Sequence, residues 1–86
     1  MLAVGNTFTN VICESFLDSQ TNRIRVKSTG DENIPEGILI ECLKSIREQY
    51  PIGTKFYAKE IKVCKKPDGR IYLRAKDQLI YKLWLN

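Results

Sequence analysis

Histidine is absent from this chain of 86 residues. Without imidazole, Ser-His-Asp and Cys-His catalysis, histidine acid–base chemistry and histidine-dependent metal sites are excluded. Cysteines are few and widely spaced at Cys13, Cys42 and Cys64, so they form neither a zinc knuckle nor a redox dithiol. The five glycines are isolated, which excludes a P-loop and a dinucleotide-binding fingerprint. We therefore expect no enzymatic activity, no catalytic residue, no cofactor and no metal.

Long apolar runs are also lacking. No stretch approaches the roughly 20 apolar residues that span a bilayer. The first residues have neither the basic start nor the apolar core of a signal peptide. An odd number of distant cysteines does not suit the disulfide framework of a secreted domain. We expect a cytoplasmic protein with free thiols and no membrane partner.

Apolar residues make up 43% of the chain, which is enough for one folded domain over 1–86. Residues 8–17 are rich in β-formers and favour a strand, with a helix as the alternative. Residues 23–27 alternate strictly between basic and apolar side chains, as in a half-buried antiparallel strand. The polar residues between these two segments predict a hairpin.

The next segment predicts a helix that begins at Pro35 and Glu36. Its apolar residues recur at three- and four-residue steps and form one stripe, and Pro51 and Gly53 end it. The stripe consists of Leu39, Cys42, Leu43, Ile46 and Tyr50.

Three further strands are predicted after the helix. The alternation in residues 54–64 changes phase near Glu60, which indicates a bulge or bend. A turn at 65–69 leads to a strand at 71–75, and a last strand carries Leu79, Tyr81, Leu83 and Leu85 on one side. We therefore predict an α+β fold of order β-β-α-β-β-β. Its single helix packs on a curved antiparallel sheet or partial barrel.

Surplus apolar residues suggest a surface for self-association. A last strand that is apolar on both sides is either central in a barrel or covered by a partner. Trp84 is the strongest candidate because tryptophan is enriched at interface centres, although it could equally complete the monomer core. Our first functional expectation is a small interaction module that forms a homo-oligomer. Its candidate contact residues are Trp84, Ile80, Tyr81 and Ile40.

The alternative expectation is weak, sequence-nonspecific nucleic-acid binding. The net charge is +4, a mild excess that favours acidic partners. The polar sides of two predicted strands carry cations and a tyrosine, which would bind phosphates and stack on bases if the two sides coincide. The residues concerned are Arg23, Arg25, Lys27, Tyr72 and Arg74.

A third and more distant expectation is a Mg²⁺-dependent nuclease. Glu60 and Lys62 form an acidic-x-Lys pair on a predicted strand, and Glu36 precedes them in the chain. Such nucleases place two carboxylates around the metal ion and a lysine beside the attacking water. Here, however, Glu36 begins a predicted helix, and Glu-x-Lys is common on the solvent side of strands.

Two segments carry a resemblance to a known group of proteins. They are YPIGTKFYAKEIKV, from Tyr50 to Val63, and RIRVKSTG with IPEGILIECLKSIRE, from Arg23 onward. Together they resemble small bacterial hypothetical proteins of the integron gene cassette type, over about half of the chain. The resemblance implies a small α+β fold, an oligomer and no known activity, and it supplies no functional residues.

Overall fold

The computed structural model describes residues 2–31 and 33–84, which form a sheet-dominated domain with one short helix. A 3₁₀ turn, Lys76–Gln78, lies between the last two strands. The remaining elements are, in chain order, β1 (Thr7–Asp18), β2 (Arg23–Ser28), β3 (Leu39–Glu41), α1 (Lys44–Arg47), β4 (Lys55–Lys65), β5 (Ile71–Ala75) and β6 (Tyr81–Lys82).

Five of the strands close into a barrel. The strand order is β1-β2-β3-β5-β4-β6, and β1 also pairs with β4. All pairings are antiparallel except that of β3 with β5, which is parallel. This ring, with a helical turn between β3 and β4, has the connectivity of the OB-fold, a five-stranded Greek-key barrel. β6 pairs with the first part of β4, beyond the end of β5.

A bend in β1 and β4 allows the barrel to close. The first half of β1 pairs with β4, and the second half pairs with β2. Asn10, with φ 53°, interrupts the β1–β4 ladder between the pairs Thr9–Glu60 and Val11–Ala58, where Lys59 and Glu60 are two consecutive exposed residues of β4. Asparagine tolerates this left-handed conformation better than most residues. The phase change predicted near Glu60 is therefore confirmed as a bend that β1 and β4 share.

The barrel interior is filled by side chains of every strand in the ring. The wholly buried members include Phe56, Ile61, Leu73 and Val63, and Ile34 covers the core from the β2–β3 loop. The core also contains Val11, Cys13, Val26, Ile40, Cys42, Ala58, Ala75 and Ile80. Small barrels are packed in this way, with no channel.

The predicted helix from Pro35 to Tyr50 is wrong over most of its length. Leu39 to Glu41 form β3, where Ile40 lies between Val26 of β2 and Leu73 of β5. Pairing on both sides outweighs the helical spacing, because tertiary contacts override weak local propensity. The helix has a single turn. Of the predicted stripe beyond β3, Cys42 is buried in the core, and Ile46 and Tyr50 pack against it. The order is thus β-β-β-α-β-β-β, while the coarse α+β description holds.

The last strand is shorter than predicted. Only Tyr81 and Lys82 pair with β4, and Leu85 lies outside the described residues. Ile80 is buried in the core, as is Ile40, so neither side chain is available to a partner. Both are thereby removed from the predicted contact surface. Within the described part of the chain, no helix has the length and apolar character needed to cross a membrane.

Candidate nucleic-acid interface

The outward side of β2 is basic. Val26 and Ser28 point into the barrel and are buried, so the alternate residues Arg23, Arg25 and Lys27 point outward. The alternation seen in the sequence therefore places three cations in a row along one strand.

β5 brings a second set of side chains to the same side of the barrel. Its buried residues are Leu73 and Ala75, so Tyr72 and Arg74 point outward. β3 lies between β2 and β5 and joins them, because Lys27 pairs with Leu39 and Arg74 with Glu41. The five residues of the nucleic-acid expectation thus share one surface. We call it the basic face, and it comprises the outward side chains Arg23, Arg25, Lys27, Leu39, Glu41, Tyr72 and Arg74.

A shallow concavity of about 240 Å³ lies on the basic face. One wall comes from the β4–β5 loop, through Lys66, and another from α1, through Arg47. Its remaining lining residues are Arg23, Arg25, Leu39, Ile40, Glu41, Cys42 and Tyr72. OB-fold barrels bind oligonucleotides and oligosaccharides on the corresponding β2–β3 surface, between the β1–β2 and β4–β5 loops.

Two arginines at the concavity are engaged within the protein. The guanidinium of Arg47 donates to the carbonyl oxygens of Ile24 and Cys42, at 2.7 and 2.6 Å. These bonds fix α1 against the ends of β2 and β3. Arg25 lies 3.7 Å from the carboxylate of Asp18, in a partly exposed pair that is worth little in water. Arg25 can therefore exchange this partner for a phosphate, whereas Arg47 has a structural role.

The aromatic rings on this side of the barrel are covered by lysines. Lys66 Nζ lies 4.4 Å from the ring centroid of Tyr72, and Lys27 Nζ lies 5.1 Å from that of Phe16. An exposed cation–π contact contributes about 0.5–1 kcal/mol. A base stacked on an aromatic ring contributes about 1–3 kcal/mol. A base can therefore displace Lys66 from Tyr72 and leave the ammonium free for a phosphate.

Tyr72 is suited to stacking in its neutral form. Desolvation raises its pKa above the ordinary value for tyrosine, and neighbouring Cys64 and Glu41 raise it further. The phenol is consequently uncharged at neutral pH and does not repel phosphate. Its ring is half-buried on the sheet, which limits the rotamer entropy that binding would cost.

The predicted site residues did not include Phe16, Leu39, Glu41, Arg47 and Lys66, which lie on or near this face. Glu41 and Arg47 lie off the apolar stripe of the predicted helix, so the error in that helix concealed their place on this face. Lys66 lies in the turn that Pro67 and Gly69 mark in the sequence, and Gly69 has φ 93° there. The predicted turn beside the basic strand at 71–75 was the sequence pattern from which Lys66 could have been identified.

A separate group of aromatic residues surrounds β6. Trp84 is 74% exposed, and Lys82 Nζ lies 3.9 Å from its ring centroid and 5.0 Å from that of Tyr50. Tyr57 and Tyr81 stack with their centroids 5.3 Å apart. We call Tyr50, Tyr57, Leu79, Tyr81, Lys82 and Trp84 the aromatic patch, and they line one shallow concavity. Trp84 and Tyr81 of the predicted interface lie in it.

The nuclease residues are on different elements. Glu60 and Lys62 project outward from β4, beside Asp77. Glu36 lies in the β2–β3 loop, against Gly30. In residues 2–31 and 33–84, no group of three or more His, Cys, Asp or Glu side chains could hold a metal ion. The structure therefore does not bring the three predicted residues together.

Comparison with known proteins finds no matching family model, no matching curated protein and no matching solved structure. The resemblance to integron cassette proteins stays a prediction.

Proposed function

We propose that this protein binds single-stranded nucleic acid through the basic face, as a binding module without catalytic activity. The observation that carries the proposal is the convergence of Arg23, Lys27, Tyr72 and Arg74, from strands distant in sequence, beside one concavity. Arginine and lysine side chains bind the phosphates of a strand, and an aromatic ring stacks on its bases.

The shape of the site favours a single strand over a duplex. Bases of a duplex are stacked on one another and offer no free face to Tyr72, whereas a single strand can insert one. Phosphate contacts are independent of sequence, so most of the affinity should be as well. Arg70 adds little positive charge, since its guanidinium is paired with Asp68 at 2.8 Å.

Fluorescence anisotropy with a labelled single-stranded oligonucleotide tests this function. Replacing Tyr72 by Ala should weaken binding by about 5- to 150-fold, the equivalent of about 1–3 kcal/mol for one stacked base. Tyr81→Ala is the matched control, because it removes a half-buried tyrosine from the aromatic patch. Absence of binding at low salt, or equal losses in the two variants, would contradict the proposal.

A second candidate is self-association through the aromatic patch. The exposure of Trp84 favours it, together with the edge of β6, which pairs only with β4 among the described strands. Unpaired strand edges accept a further strand, and tryptophan contributes strongly to contacts between chains. Light scattering coupled to size exclusion should then give an oligomer that Trp84→Ala reduces to a monomer. A wild-type monomer at high concentration would contradict this candidate.

A further inference from the structure

A carboxylate lies inside the basic face. Glu41 ends β3, next to Arg74 of β5, and the β2–β3 register places Arg25 on its other side. Despite these neighbours, the described residues form only two ion pairs, and neither involves Glu41. Arg25 turns to Asp18 instead. The Glu41 carboxylate therefore keeps its acceptor oxygens available at the concavity.

Such a carboxylate disfavours binding to phosphate alone. A negative charge among cations repels the backbone of the nucleic acid and weakens sequence-independent affinity. An ionised carboxylate accepts hydrogen bonds and donates none. Its chemistry suits a ligand that presents N–H donors, which in a nucleic acid means the edge of a base.

Guanine has the matching edge. Its N1–H and N2 amino group are adjacent donors, and they can bind both oxygens of one carboxylate. Adenine and cytosine present one amino donor beside a ring-nitrogen acceptor, and thymine and uracil place one N–H between two carbonyl oxygens. Those acceptors would face the carboxylate oxygens and repel them, so guanine fits Glu41 best.

Tyr72 lies where it can hold such a base. Glu41 and Tyr72 line the same concavity, and they are close enough for the carboxylate to raise the pKa of the phenol. A base stacked on Tyr72 can direct its Watson–Crick edge toward Glu41. We propose that Glu41 and Tyr72 form a base pocket that selects guanine within single-stranded nucleic acid, an inference that rests on the proposed function.

The test uses thymidine oligonucleotides of about ten residues, within the range of sites on one OB barrel. The central position is dT, dA, dC, dG or deoxyinosine, which lacks the N2 amino group of dG. Anisotropy titrations should show the dG oligonucleotide binding at least about fivefold more tightly than the all-dT one, as expected for a bidentate contact. Deoxyinosine should lose most of that gain.

Glu41→Gln should abolish the dG preference and strengthen binding of the all-dT oligonucleotide, because a repulsive charge is lost. Glu60→Gln is the matched control, since it removes the same charge from an exposed position on β4 and should keep the preference. Equal affinity of the wild type for dG and deoxyinosine, or a dG preference retained in a folded Glu41→Gln, overturns the guanine pocket and leaves the proposed function standing. Absence of binding to every oligonucleotide overturns both.

Discussion

Salt dependence gives a quantitative test of the basic face. The side chains of four cations on or near it, Arg23, Lys27, Arg74 and Lys66, form no ion pair or hydrogen bond within the described structure. For a single strand, each phosphate contact contributes about −0.7 to the slope of log K against log salt, so four predict about −2.8. Raising monovalent salt from about 50 to about 200 mM should then weaken binding about 50-fold.

The double variant Arg23→Ala/Arg74→Ala should reduce this slope to about −1.4, so that the same salt change weakens binding only about 7-fold. Anisotropy titrations at four salt concentrations measure both slopes. Lys59→Ala is the control: its ammonium lies over Tyr81, outside the basic face, and the slope should stay near −2.8. A wild-type slope near zero, or equal slopes in the double variant and the wild type, would refute the assignment of phosphate contacts to these strands.

Three further predictions concern the fold itself. Leu73→Ala should lower the free energy of unfolding by about 2–5 kcal/mol in urea titrations, because it opens a cavity where β3, β4 and β5 meet. A loss below about 1 kcal/mol would contradict the burial of Leu73 in the barrel core. A thiol reagent should label Cys64 rapidly and reach buried Cys13 and Cys42 only on unfolding, so equal labelling rates would be inconsistent with the barrel. Burial raises the pKa of the Cys13 thiol from 9.0 to about 12, so above pH 9 the unfolded chain loses this proton before the folded one does. The free energy of unfolding should therefore fall by up to about 1.4 kcal/mol per pH unit. Unfolding of Cys13→Ala should show a shallower decline with pH, and an identical slope in the variant and the wild type would contradict this prediction.

The strands were predictable from the sequence where one side is buried. Residues 23–27 and 71–75 alternate cleanly, and β2 and β5 follow those patterns. The bend near Glu60 was also readable, since alternation changes phase wherever a strand turns its other side inward. The closure of the barrel was not readable, because it depends on pairing between β1 and β4, which are far apart in the chain.

The segment around Ile40 shows why the helix was mispredicted. Leu39, Cys42, Leu43 and Ile46 fit a helical stripe, but Ile38, Ile40 and Cys42 equally fit the inward side of a strand. Short apolar runs are ambiguous between the two periods. Pairing with β2 and β5 decides in favour of the strand, because only an extended segment between them can form backbone hydrogen bonds with both. Once Glu41 belongs to a strand, it joins the basic face.

The basic face combines rigid and adaptable parts. β2, β3 and β5 each pair with a strand on both sides, so their backbones hold Arg25, Glu41 and Tyr72 in a fixed arrangement before any ligand binds. Lys66, by contrast, extends from a loop that is closed by a backbone hydrogen bond from the Lys66 N–H to the carbonyl oxygen of Arg70. Its long side chain can leave Tyr72 at a cost of about 0.5–1 kcal/mol, which is less than the binding energy of about 1–3 kcal/mol that a stacked base contributes. Selection among bases should therefore depend on the strands, whereas Lys66 should adjust to the path of the phosphates.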